Sequence, residues 1–194
     1  MAEEKADSRS RILEAAAEII GRERNLNFTI REVARRAEVN IASINYYFRS
    51  KKNLLGEIEK LLMERTRLIY ADLGDESLSP RDRLIGWADE LIKHLIEYPG
   101  IIYLIGTRIL ERESTFIGPY LNLLETELAP LVKKITGLDQ NHLVSFKVIQ
   151  LISGVVYPVL IFSSAENPGG IDIRNRTMRL EYINSLIESI KTAR

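Results

Sequence analysis

The stretch "EVNIASINYYFRSKKNLL", residues 38–55, sets three aromatic rings side by side, Tyr46, Tyr47 and Phe48. One face of a helix cannot bury three consecutive residues, so the rings must divide between core and surface. Small polar residues precede them (Asn40, Ser43, Asn45) and two lysines follow (Lys51, Lys52). Asn40 suits the N-cap of a short helix running to about Phe48. Ile44 and Phe48, four apart, form its inward pair together with Val39. Phe48 is then the ring that turns into the core, with Tyr46 and Tyr47 facing out.

Toward the N-terminus, Thr29 caps a helix from about Ile30 to Ala37, and Glu32 three residues later completes a capping box. Ile30, Val33, Ala34 and Ala37 would be its buried face. Glu38-Val39-Asn40 is the tight turn between the two helices. Ile12, Leu13, Ala16, Ile19 and Ile20 mark an amphipathic helix ahead of them, and Ser50 caps a fourth helix reaching about Asp72. Two short helices joined by a three-residue turn make a helix-turn-helix.

In DNA-binding units of this kind the second helix enters the major groove, and its first residues meet base edges. Side chains there must be small or able to hydrogen-bond. Asn40, Ile41, Ala42, Ser43 and Asn45 meet that need: Ile41 and Ala42 can touch a thymine methyl, and Asn45 can donate to a base. The tyrosine hydroxyls can reach phosphate oxygens on the groove wall. Charge points the same way. Residues 8–55 hold ten Lys or Arg and five Glu, a local +5 in a chain whose net charge is zero. That asymmetry implies a polyanionic partner for the head.

The run "FTIREVARRAEVNIASINYYFRSKKNLL" resembles the heads of the TetR family of bacterial transcriptional repressors. The matching positions are Thr29, Ile30, Val33, Ala34, Ala37, Val39, Ile44, Tyr47, Phe48, Ser50 and Lys51, and the resemblance covers residues 8 to about 55. Two positions depart from the family pattern: Glu38 stands at the usual turn glycine, and Asn45 at the usual first aromatic. The resemblance implies a DNA-binding set of Arg9, Thr29, Arg31, Asn40, Ile41, Ala42, Ser43, Asn45, Tyr46, Tyr47 and Lys51. It also implies a body that binds a small effector between its helices and dimerises through its last two helices.

The body's sequence is compatible with that expectation. "GDESLSP", residues 74–80, reads as a linker, and five further helices follow at about residues 80–97, 100–112, 116–135, 140–163 and 172–192. The expected fold is all-α, with about nine helices: a helix-turn-helix head at 1–52 and an effector-binding, dimerisation body at 53–194. The run from Val148 to Ala165 carries no charge. More apolar surface than one core uses suits a partner subunit. The expected interface is Val148, Leu151, Val155, Val159, Phe162, Ile183, Ile187 and Ile190. Trp87, His94, Tyr103, Arg108, Phe116, Tyr120 and Tyr157 are candidate effector contacts, rings with a few polar groups being common in ligand sites.

Other classes find little support. There is no cysteine, and two histidines cannot make a multi-histidine metal centre. No His-Glu-x-x-His pattern, phosphate loop or nucleophile elbow occurs. The expectation is a non-enzymatic protein without cofactor or metal. The charged N-terminal residues lack the apolar run of a signal peptide, so a cytoplasmic location is expected. The uncharged run approaches a membrane span in length, but Gln150, Ser153, Gly154 and Pro158 interrupt it, which favours a buried or dimer-forming helix. The working reading is a ligand-responsive repressor that binds a near-palindromic operator as a homodimer.

Overall fold

A computed structural model describes residues 2–112, 114–162 and 168–191, with the side chains of 2–6, 114–117 and 168 excepted. The described residues contain ten α-helical segments and no strand. The head comprises α1 (Ala2–Gly21), α2 (Ile30–Arg36) and α3 (Ile41–Phe48). The long α4 (Lys51–Ala71) leads into α5 (Pro80–Glu97), α6 (Gly100–Leu110), α7 (Ser114–Leu123), α8 (Ala129–Thr136), α9 (Asn141–Phe162) and α10 (Arg176–Lys191).

Three side-chain caps start the helices that matter most. Thr29 Oγ1 accepts from Glu32 N at 3.1 Å, Asn40 Oδ1 from Ser43 N at 2.7 Å, and Ser50 Oγ from Asn53 N at 3.1 Å. Each satisfies a backbone donor that the helix cannot. The turn after α2 is a Schellman motif. Val39 N donates to Ala34 O at 3.0 Å and Glu38 N to Arg35 O at 3.4 Å. Glu38 closes it with φ 53°, the left-handed conformation for which glycine is preferred.

The head core is Ile12, Ala16, Ile19, Ile20, Phe28, Val33, Ala34, Ala37, Ile44 and Phe48. It merges without a gap into that of the body. The joint is α4, which packs on α1 and α3 at one end and on α5 and α7 further along. It runs unbroken across the expected boundary at 52/53.

A second joint lies at the start of α6. A Cβ at Gly100 would sit 1.8 Å from Ile20 O, so glycine is what lets α6 press against the end of α1. Arg22–Glu97 at 2.6 Å and Arg65–Glu14 at 2.5 Å cross the same joint. His94 stacks beside Tyr98 here, ring centroids 5.3 Å apart.

In the body α5 is the central helix, packed against α4, α6, α8, α9 and α10. Its Trp87 is fully buried and meets Tyr70 of α4 edge to face at 5.4 Å. The last two helices meet closely where Tyr182 Oη donates to Gly154 O at 2.7 Å. A Cβ at Gly154 would strike Leu186 Cδ1 at 2.5 Å. Arg179, buried, binds Asp89 at 2.6 Å and the carbonyls of Ile173 and Arg174, pinning α10 and the loop before it.

The helix expected over 116–135 is interrupted. A π-helical turn, Leu124–Leu128, joins α7 to α8. Pro130 lies just beyond it. A proline ring clashes with the carbonyl four residues back and supplies no N–H, so a wider turn ahead of it relieves the ladder. The last helix starts at Arg176 rather than 172, because Asp172 and Asn175 turn their carboxylate and amide oxygens onto the following N–H groups.

Candidate nucleic-acid interface and body cavities

The buried pair on α3 is Ile44 and Phe48, so the outward strip is Ile41, Ala42, Asn45, Tyr46 and then Arg49. These positions recur at helical spacing and form one continuous face. Tyr46 is 69% exposed, Tyr47 half-buried and Phe48 only 3% exposed. The trio therefore grades from solvent to core. Tyr47 is not the fully outward ring expected; its ring packs against the head core, edge-on to Tyr46 at 5.1 Å.

Several side chains expected at DNA have local partners. The Thr29 hydroxyl is committed to its cap. Asn40 Oδ1 accepts both Ser43 N and Ser43 Oγ, the latter at 3.0 Å, which leaves Ser43 an acceptor toward anything outside. Arg9 binds Glu57 at 2.5 Å and lies 5.5 Å from the Phe48 ring centroid. Arg22 and Arg36 pair with Glu97 and Glu23. Arg31, Arg35, Arg49, Lys51 and Lys52 have no carboxylate partner among the described residues, and all are exposed. These five cations concentrate the head's positive potential around α3. Arg49, at φ 63° just after α3, extends the strip, and no motif in the sequence announces it.

The candidate effector residues do not converge. Trp87 is core, and its Nε1 has no hydrogen-bond partner among the described residues. Tyr103 and Tyr157 face outward at 58% and 62% exposure. Arg108 is held by Glu59, with Nε to Oε1 at 2.7 Å, and by Glu111 at 2.6 Å. His94 sits in the joint with α1, its Nε2 buried and without a hydrogen-bond partner among the described residues. Burial, then Arg65, lower its pKa. The Phe116 side chain lies outside the described residues. Tyr120 alone of the set lines the small apolar cavity of the body.

That cavity, about 60 Å³, lies between α4, α5, α6, α7 and α9. Its walls are Leu, Ile and Val, with Thr66, Tyr70 and Tyr120 as its polar groups. Burial, and secondarily Tyr120, raise the Tyr70 pKa well above its usual value, and burial raises that of Tyr120. Both hydroxyls remain neutral donors. In the sequence Tyr70 and Thr66 look like ordinary members of an amphipathic helix. A separate open groove of about 1010 Å³ runs along α4 from Lys51 to Arg67, against α6 and α7.

The expected dimer residues require correction. Leu151, Val155, Val159, Ile183 and Ile187 have no exposed surface, and Val148 and Ile190 almost none. They fill this subunit's own core, so they have no side chain to offer a partner. Phe162 is half-buried. The outward stripe of α9 is instead His142, Phe146, Ile149, Ser153, Tyr157 and Leu160, spaced three or four apart. Phe146 and Ile149 are more than half exposed. α9 is long and apolar enough to cross a membrane by length and composition, and its other face is packed against α5, α8 and α10.

Residues 12–58 match the family model described as bacterial regulatory proteins, tetR family. Comparison with curated protein sequences finds no match. Solved structures share the fold over nearly the whole chain. A TetR-like transcriptional regulator from Rhodococcus sp. RHA1 superposes with TM-score 0.70 at 16% identity, covering 95% of this chain and 93% of that one. A linker-substituted mutant of HlyIIR gives 0.66 at 21% identity, covering 97% and 100%. An ArpA-like gamma-butyrolactone receptor gives 0.56 at 16%, covering 96% and 98%. Residues 12–58 thus carry a head of the tetR type, and the helical architecture that continues from it to α10 is the fold of these solved regulators.

Proposed function

We propose that this chain is a ligand-responsive repressor that binds a near-palindromic operator as a homodimer and leaves it when a small, mostly apolar effector occupies the body. The observation that carries the reading is the outward face of α3. It runs from the apolar Ile41 and Ala42 through Asn45 to Tyr46 and the cationic Arg49, with Arg31, Arg35, Lys51 and Lys52 around it, and none of these five cations has a carboxylate partner among the described residues. Ile41, Ala42 and Asn45 read base edges. Tyr46, Tyr47, Lys51 and Arg31 hold phosphates. The head (1–52) and body (53–194) share α4 as their lever. The protein works in the cytoplasm and performs no catalysis.

The dimer forms through the outward stripe of α9 together with α10. Two heads related by a two-fold axis then face half-sites on one side of the duplex. The effector enters the small apolar cavity. At about 60 Å³ that space is far below the ~300 Å³ of ordinary ligand sites, so binding must part its walls. Two of those walls are α4 and α6, both of which pack on α1. Parting them changes the spacing of the heads. The gamma-butyrolactone receptor among the structural neighbours supports a small neutral effector on this fold.

Selection of duplexes from a random pool, followed by anisotropy titration, tests the reading. Lys51→Ala should weaken binding to all sequences by ~1 kcal/mol and flatten the salt dependence. Asn45→Ala should instead change which sequences are preferred. Failure to enrich any sequence, or wild-type behaviour of both variants, would reject the docking.

A further inference from the structure

We propose that the groove along α4 binds an amphipathic anion, with the anionic head on Lys51 and Lys52 and the aliphatic tail on Leu55, Met63 and Leu123, in direct competition with DNA phosphate. The site is separate from the small apolar cavity. The competition rests on the DNA-binding reading, whereas the binding itself does not.

Charge is distributed unevenly along the groove. Most cations bordering the groove are neutralised in place. Lys60 pairs with Glu57 at 2.8 Å, Arg67 with Glu64 at 2.8 Å, and Arg108 with Glu59 and Glu111. Lys51 and Lys52 have no such partner among the described residues, so the uncompensated charge sits at one end. Lys51 is also turned toward the groove: its Nζ lies 4.6 Å from the Phe28 ring centroid, beside the loop whose Leu26 forms the groove's rim. From that end Leu55 and Met63 of α4, with Pro119 and Leu123 opposite on α7, give the lining its apolar contacts, and Glu59 between them is paired with Arg108. Lys52 to Met63 is eleven residues, or ~16 Å along the helix, which matches an extended tail better than a compact ring.

Gly56 keeps the floor open. It lies one turn beyond Lys52 on the same face, and a Cβ there would meet nothing within 4 Å. Glycine inside a helix is unfavourable, and no close packing calls for it here. A cationic end, followed by a trough of apolar side chains and mutually paired charges, complements a ligand with one charged head and one aliphatic tail. A carboxylate and a phosphate monoester offer that same chemistry. Since Lys51 serves both the groove and the operator phosphate, one anion displaces the other.

Calorimetry on the full chain, with probes kept below their micelle concentrations, tests the site. Dodecanoate and dodecyl phosphate should bind, and the tighter of the two names the natural head group. Dodecanol and inorganic phosphate should bind at least about tenfold more weakly, lacking one half of the recognition. Gly56→Phe places a ring in the trough from a Cβ that meets nothing within 4 Å. It should retain wild-type melting and operator affinity and lose dodecanoate binding. Lys52→Gln should weaken dodecanoate but not dodecanol. In operator titrations dodecanoate should raise the apparent Kd in proportion to its concentration without a ceiling, as mutual exclusion demands. An effector acting through shape reaches a plateau, ~5- to 150-fold for ordinary couplings. Three results would overturn the proposal: equal binding of dodecanol and dodecanoate, undiminished binding by Gly56→Phe, or a plateau in the operator titration. Loss of operator binding by untreated protein would reject the repressor reading and leave the calorimetric result standing.

Discussion

Replacing Glu38 by glycine should make this protein more stable. Glu38 occupies the C′ position of the Schellman turn that ends α2, at φ 53°. A side chain with a Cβ in that conformation costs ~1–2 kcal/mol. Glycine removes that cost but surrenders ~0.5–1 kcal/mol of extra backbone freedom on folding. The net gain expected is ~0.5–1 kcal/mol. For a chain of this size that is a rise of ~1–4 °C in melting temperature. Glu38 also places a carboxylate beside the free carbonyls of the α2 C-terminus, an unfavourable neighbour. Glu38→Ala removes the same charge yet keeps the strained backbone, so the glycine-minus-alanine difference isolates conformation from charge. The measurement is urea unfolding followed by circular dichroism at fixed protein concentration. The midpoint should move while the slope stays constant. The turn's two hydrogen bonds persist, so glycine and alanine variants should bind operator alike. A glycine variant no more stable than the alanine variant would refute the account of the turn.

Other consequences follow from burial and packing. Tyr157→Glu or Ile149→Glu should yield folded monomers in sedimentation, whereas Val155→Glu should lose several kcal/mol of stability, since it would place an unpaired charge in a fully buried site. Unfolded Tyr157→Glu, or folded monomeric Val155→Glu, would reverse the assignment of faces on α9. Burial, with Arg65, lowers the His94 pKa below 6.5, opposed only by Glu97. The unfolded chain therefore binds the extra proton first, so stability should fall as pH drops below about 6.5. His94→Leu should flatten that part of a melting-temperature profile. Gly100→Ala drives a methyl into Ile20 O and should destabilise the joint between head and body by ~1–3 kcal/mol, read in thermal melts.

Much of the head is legible in the sequence because its determinants are local. The caps at Thr29, Asn40 and Ser50 act on N–H groups three residues away. The inward pair Ile44 and Phe48 lies on one helical turn. Glu38 stands where the family pattern has a turn glycine, which marks it as a position of positive φ, and it adopts one. Tyr47 departs from the expectation by degree, since spacing assigns a face but not how far a neighbouring element covers it.

The body is legible only as a series of helices. In α9 apolar residues occupy every face, so periodicity cannot separate core positions from surface ones; the partition comes from where α5, α8 and α10 pack. Leu151, Val155 and Val159 fill the core, while Phe146, Ile149 and Tyr157 on the same helix face outward. Trp87, Tyr120 and Tyr157 are alike in composition and separate only in space, as core, cavity wall and outer surface. The pairs that close the joint, Arg22–Glu97 and Arg65–Glu14, link residues 75 and 51 apart.

The sequence by itself determined the helix-turn-helix and the inward and outward faces of its second helix, because a cap, a turn and an i, i+4 pair are decided within one or two turns of backbone. Tertiary structure alone decided which face of α9 is free, which rings line the cavity, and that Lys51 and Lys52 stand at the open end of a groove. Those properties belong to contacts between distant segments, and burial is set by what packs against a residue rather than by the residue itself.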